Sequence, residues 1–75
     1  MTLDQCKIHH QYIIKNIAAS TKTYRHLQHL GFWENTIIQC LYTAPAKTPV
    51  AFLVQGSVIA LRRNDLKRIH VQEVV

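Results

Sequence analysis

Seventy-five residues leave room for one domain, and a chain of this length buries only about 60% of the surface its unfolded form exposes, so it builds one modest core. An apolar fraction of 48% against 17% charged residues excludes a disordered chain, which combines few apolar residues with high net charge. A net charge of +5 suits acidic partners, yet only Arg62-Arg63 with Lys67-Arg68 forms a cluster, whereas a nucleic-acid binder carries a denser stripe; nucleic acid is therefore disfavoured.

In chain order, Leu3-Asp4-Gln5-Cys6 reads as a short turn that points Leu3 and Cys6 the same way into the core. Gln11–Ile17 is rich in β-branched and aromatic residues and makes a first strand, which Ala18-Ala19-Ser20 ends. Tyr24, Leu27 and Leu30 then recur every third position, which predicts a helix over Thr21–Leu30 with Ser20 or Thr21 as its cap and Gly31 at its end. Further strands are expected at 36–42, Val50–Val54, Ser57–Leu61 and 69–74. The turn signals between them are Thr43-Ala44-Pro45, Gln55-Gly56 and Arg63-Asn64-Asp65. Five short strands and one short helix, in a single domain over 1–75, point to a mainly β, partly open barrel rather than a sandwich.

Several chemistries are missing from the pattern. The longest apolar stretch, Val50–Val54, is far short of the ~20 residues of a membrane-spanning helix, and Met1-Thr2-Leu3-Asp4-Gln5 lacks a signal-peptide pattern, so a cytoplasmic address without membrane insertion is expected. Cys6 and Cys40 could form one disulfide, but so short a secreted scaffold usually carries several, and both are read as reduced. Phosphate cradling needs clustered glycines, and Gly31 and Gly56 stand far apart. Asp4, Glu34, Asp65 and Glu73 are expected on separate turns or termini, so no carboxylate pair is available for acid–base work. With no evident nucleophile either, the chain is read as a non-enzyme without cofactor. Five histidines raise the question of a metal, with Cys6, His9 and His10 in one compact motif and His26 and His29 three apart on the helix. The simpler reading leaves Cys6 in the core beside Leu3, and a structural site needs four convergent ligands, so no metal is assigned.

Leu27, Leu30-Gly31-Phe32, the strand from Thr36, Thr43-Ala44-Pro45 with Pro49, Gly56 and Leu61-Arg62 together resemble the FeoA family of bacterial ferrous iron uptake, from Leu3 to Val74. The chain departs from the family pattern in three places. Ile8-His9 and Glu34-Asn35 stand where the family has Pro-Gly, and the hairpin's Leu-Gly-Asp is Ala46-Lys47-Thr48, which loses an acid and gains Lys47. Asn35 suits its place, because asparagine enters the left-handed region more readily than other non-glycine residues. The resemblance implies an SH3-like barrel that binds the cytoplasmic part of FeoB, a membrane GTPase carrying iron(II). A stand-alone regulatory module like the one in iron-dependent repressors and a basic nucleic-acid-binding module are the alternative readings.

Strand alternation sends Ile38, Cys40, Val50, Phe52, Val54, Ile59 and Leu61 inward. Ile37, Leu41, Ala51, Leu53, Val58 and Ala60 then face outward, a surface more apolar than a half-exposed strand ordinarily presents. Such residues are either ordinary surface hydrophobics or a face for self-association or docking. Ile37, Leu41, Leu53 and Val58 are thus the partner-binding candidates on the strands, with Trp33 as an aromatic beyond the helix end. Tyr24 and Leu27 join them because the resemblance implies contact through the helix, although Leu27 is most simply a core residue.

Overall fold

The computed structural model describes residues 1–74. A 3-10 turn at Leu3–Gln5 leads into β1 (Gln11–Ile17), α1 (Thr21–Leu30), β2 (Ile37–Thr43), β3 (Val50–Val54), β4 (Ser57–Leu61), α2 (Arg63–Leu66) and β5 (Ile69–Glu73). The five strands form one antiparallel sheet in the order β4-β3-β2-β1-β5. It curls around Leu3, Tyr12, Ile14, Phe32, Phe52 and Ile69, with Phe32 and Phe52 meeting edge to face at 6.3 Å between ring centres. Tyr12 keeps its hydroxyl satisfied in this core by accepting the Lys7 N–H at 2.8 Å.

Local chemistry sets the element ends. Ser20 caps α1, its Oγ accepting the Thr23 N–H at 3.3 Å. Gly31 ends the helix in the left-handed region at φ 110°, and a Cβ there would sit 3.0 Å from Val54 Cγ1, so both conformation and space call for glycine. Gln55 and Gly56, at φ 49° and 83°, make the two-residue turn that joins β3 to β4 with the twist such hairpins need.

The sequence places β1, α1, β3 and β4 at their observed bounds, and four details differ. β2 runs one residue later than expected, from Ile37 to Thr43, and β5 ends at Glu73, although the Val74 N–H still bonds to the Gln11 carbonyl at 2.9 Å. Arg63-Asn64-Asp65 is part of a short helix rather than a turn, held by Asp65 and Leu66 N–H groups on the Arg62 carbonyl and anchored by buried Leu66. In β2 the register slips between Cys40 and Tyr42, a β-bulge that half-buries Leu41 and hands its expected outward place to Tyr42.

The two sheet edges differ. Met1 and Thr2 cover β5, through a bridge from Thr2 to His70 and a 2.8 Å bond from the Val71 N–H to the Met1 carbonyl. Among the described residues no backbone group pairs with the outer edge of β4.

Candidate interaction face and the placement of the site residues

The outer face of β2, β3 and β4 is built in cross-strand rows. Leu53 lies between Gln39 and Val58, Ala51 between Tyr42 and Ala60, and Ile37 opposite Ile13 of β1. Directly opposed residues share a face, and successive rows stand about 7 Å apart, so these side chains make one surface. Ile37 is 51% exposed, Val58 56% and Leu53 38%, a degree of exposure that leaves their apolar atoms in water. Between Glu34 and Arg62 the only charged residue is Lys47, which lies in the β2–β3 hairpin loop, so the strands of this face carry no charge.

The other outward expectations sort by size and register. Ala51 is only 3% exposed: its methyl sits on a strand flanked on both sides, between Tyr42 and Ala60, and cannot reach past them. Tyr42, which strand alternation assigns inward, is 60% exposed and belongs to the face; only the bulge, invisible in β2 alone, reveals it. Trp33 stands in the turn after α1 with 47% of its surface exposed rather than packed away. Leu27 is fully buried and unavailable to a partner. Tyr24 is half-buried against the core and donates its hydroxyl to Glu34 at 2.8 Å, a bond that pushes the phenol up and ties α1 to the turn before β2.

The metal candidates do not converge. His9 occupies a left-handed turn position, φ 72°, and His10 Nδ1 lies 2.7 Å from Glu73 Oε2 at the paired ends of β1 and β5. His26 and His29 line an open groove on exposed α1 with Thr21, Lys22 and Arg25. Among the described residues no group of three or more His, Cys, Asp or Glu side chains comes together to hold a metal.

The sequence leaves the Cys6–Cys40 pairing open and reads both as reduced; the structure brings the two side chains together. Cys6 and Cys40 are both free thiols, and their sulfurs lie 3.2 Å apart although 34 residues separate them. The turn before β1 brings them together: the His10 N–H bonds to the Lys7 carbonyl, and His9 and His10 exchange backbone bonds with Cys40. Burial, reinforced by the Cys40 sulfur, pushes the Cys6 thiol up to about 12, and burial also pushes Cys40 up. The pair lies on a cleft of about 260 Å³ that Asp4, Ile8, Thr43, Lys47 and Val50 complete.

A partly open, five-stranded antiparallel barrel with one capped helix is the architecture of small SH3-like domains. The chain belongs to the FeoA domain family, whose sequence pattern matches residues 1–73, and that family is associated with ferrous iron transport. It is similar to the FeoA protein of Chlorobium tepidum, with 25% identity and a TM-score of 0.92 over 100% of this chain and 71% of that one. It is likewise similar to the FeoA of Stenotrophomonas maltophilia complexed with zinc, described as a prokaryotic SH3 domain protein, with 25% identity and a TM-score of 0.82 over 96% and 89% of the two chains. The manganese-activated repressor ScaR contains the same fold, with a TM-score of 0.87 over 99% of this chain and 35% of that one; at 20% identity the likeness concerns fold alone. No curated protein sequence matched the chain.

Proposed function

We propose that this chain is a cytoplasmic, non-catalytic docking protein that binds the cytoplasmic part of a FeoB-like membrane GTPase and thereby supports iron(II) uptake. The observation that carries the reading is the uncharged, exposed face of β2–β4, with Ile37, Tyr42, Leu53 and Val58, on a domain of a ferrous-iron-transport family. Contiguous exposed apolar area on a small domain marks an interface, and buried aromatic or aliphatic anchors carry most interface energy. Trp33 extends the anchor set beyond the helix end. No helix among the described residues is long and apolar enough to cross a membrane.

Pull-down and calorimetry with the soluble cytoplasmic domain of the partner, with and without GTP, test this. Wild type binds, and Val58→Glu weakens binding at least about tenfold, or 1.4 kcal/mol, by placing a carboxylate in the contact. Wild-type affinity in both Val58→Glu and Leu53→Glu would overturn the assignment of this face. The fold shared with ScaR favours a second reading, a regulatory module that binds a DNA-binding protein, and capture of such a protein in place of the GTPase domain distinguishes it. Self-association through the same face is read by sedimentation at high concentration, where Leu53→Glu returns an oligomer to monomer.

A further inference from the structure

We propose that Cys6 and Cys40 form a reversible intramolecular disulfide, a modification site that clasps the segment before β1 to β2. The proposal rests on geometry alone and stands whether or not the docking function does. Four observations support it. The sulfurs are 3.2 Å apart, inside van der Waals contact, so a short approach converts the thiol–thiol contact into a bond. The two positions have unequal access: Cys6 is half-buried and Cys40 buried, so an oxidant reaches Cys6 and Cys40 stands behind it as the resolving thiol. The pair lines a cleft of about 260 Å³, large enough to admit the end of a small disulfide, with Lys47 and Asp4 both on its wall, a cation to meet a carboxylate and a carboxylate to meet an ammonium group. Finally, among the described residues no metal-holding cluster forms that would claim the thiols instead.

The oxidant class is a small, carboxylate-bearing disulfide such as glutathione disulfide. Cys6 loses its proton to water, and its sulfur attacks one sulfur of the oxidant; the oxidant's S–S bond breaks, and the expelled thiolate takes up a proton. The Cys40 sulfur, likewise deprotonated, then attacks the Cys6 sulfur of this mixed disulfide, and the second small thiol leaves. Two thiols and one small disulfide thus become one protein disulfide and two small thiols, with two electrons and two protons passing to the oxidant. Because burial holds the Cys6 thiol up at about 12, the thiolate is scarce near neutrality and the clasp answers sustained rather than brief oxidation, closing faster as pH rises. Once closed, it ties a loop of 34 residues and restricts the unfolded chain.

The test incubates the full reduced chain with glutathione disulfide at pH 7.5 and 9 and follows intact mass and non-reducing electrophoresis. The expected product is a monomer lighter by two hydrogens, formed faster at pH 9, whose Cys6–Cys40 linkage appears in a peptide digest and disappears with dithiothreitol. Its melting temperature rises by on the order of 15 °C over the reduced chain. Phenylarsine oxide, which bridges two neighbouring thiols, should block both at one arsenic per wild-type chain and lose that binding in Cys6→Ser. Cys6 is partly buried and packs against the core, so Cys6→Ala, which adds no polar group there, is run beside Cys6→Ser and should lose the same binding. A stable glutathione adduct on Cys6, disulfide-linked dimers, or no reaction at pH 9 would each overturn the proposal.

Discussion

Among the described residues four non-glycine positions sit in the left-handed region, and three of them stand where the family pattern has glycine: His9 at φ 72°, Asn35 at 71° and Lys47 at 69°. That region brings Cβ against the carbonyl oxygen and costs an ordinary residue about 1 kcal/mol, less for asparagine, whose short amide bonds locally. Lys47→Gly, in the exposed hairpin, should therefore stabilise by roughly 1 kcal/mol and raise the melting temperature by about 4–8 °C, while Asn35→Gly should move it much less. A calorimetric scan in which Lys47→Gly melts lower would mean that the lysine side chain contributes more than its backbone costs. Cys6 makes a second prediction at this scale. Its thiol is raised from 9.0 to about 12, so the folded protein holds that proton more tightly than the unfolded chain. The associated stability is whole below pH 9 and drains away as pH climbs toward 12. Urea midpoints of wild type and Cys6→Ala, compared across that window, should converge with rising pH, and a constant difference would count against the raised thiol.

At the scale of the element, the outer face divides by strand register rather than by residue type. Ala51 and Leu53 are both apolar and both alternate outward, yet Ala51 lies beneath its neighbours and Leu53 stands in water. Ala51→Glu would drive a carboxylate between Tyr42 and Ala60 and should cost about 3 kcal/mol or more, whereas Leu53→Glu should cost under about 1 kcal/mol. Equal urea midpoints for the two variants would refute the division. This pair also explains what the sequence could convey. Strands β1, β3 and β4 and helix α1 are legible because alternation, the Ser20 cap and the Gly31 stop are local signals that agree with one another. The bulge in β2 is a mismatch with β3 that β2 alone does not encode, so Leu41 and Tyr42 exchange roles unannounced. Helix α2 is only four residues long, too short for any period, and buried Leu66 fixes it from the core side. The Cys6–Cys40 contact depends on how β1 meets β2 and on the turn before it, a relation between distant segments that spacing along the chain does not carry.

For the molecule as a whole, the separation of charge from apolar surface decides how a partner should bind. Six of the nine lysines and arginines lie in two regions: α1, with Lys22 and Arg25 beside His26 and His29, and the grooves around α2, with Lys47, Arg62, Arg63 and Lys67. The strands that carry the exposed apolar face contribute none. Docking through β2–β4 removes apolar area from water and pairs no ions, so its affinity should change by less than about threefold between 50 and 500 mM salt, where a screening length falls from about 14 to about 4 Å. It should also carry a negative heat-capacity change, the mark of apolar burial. Docking through either cationic region predicts the reverse, a steep loss with salt and a small heat-capacity change. Calorimetric titration of the GTPase domain at the two salt concentrations and at several temperatures separates them. A drop of a hundredfold would move the interface from the sheet to the helix groove or to the basic groove beside α2, and variants of Arg25 or Arg63 would then take the place of Val58→Glu in locating it.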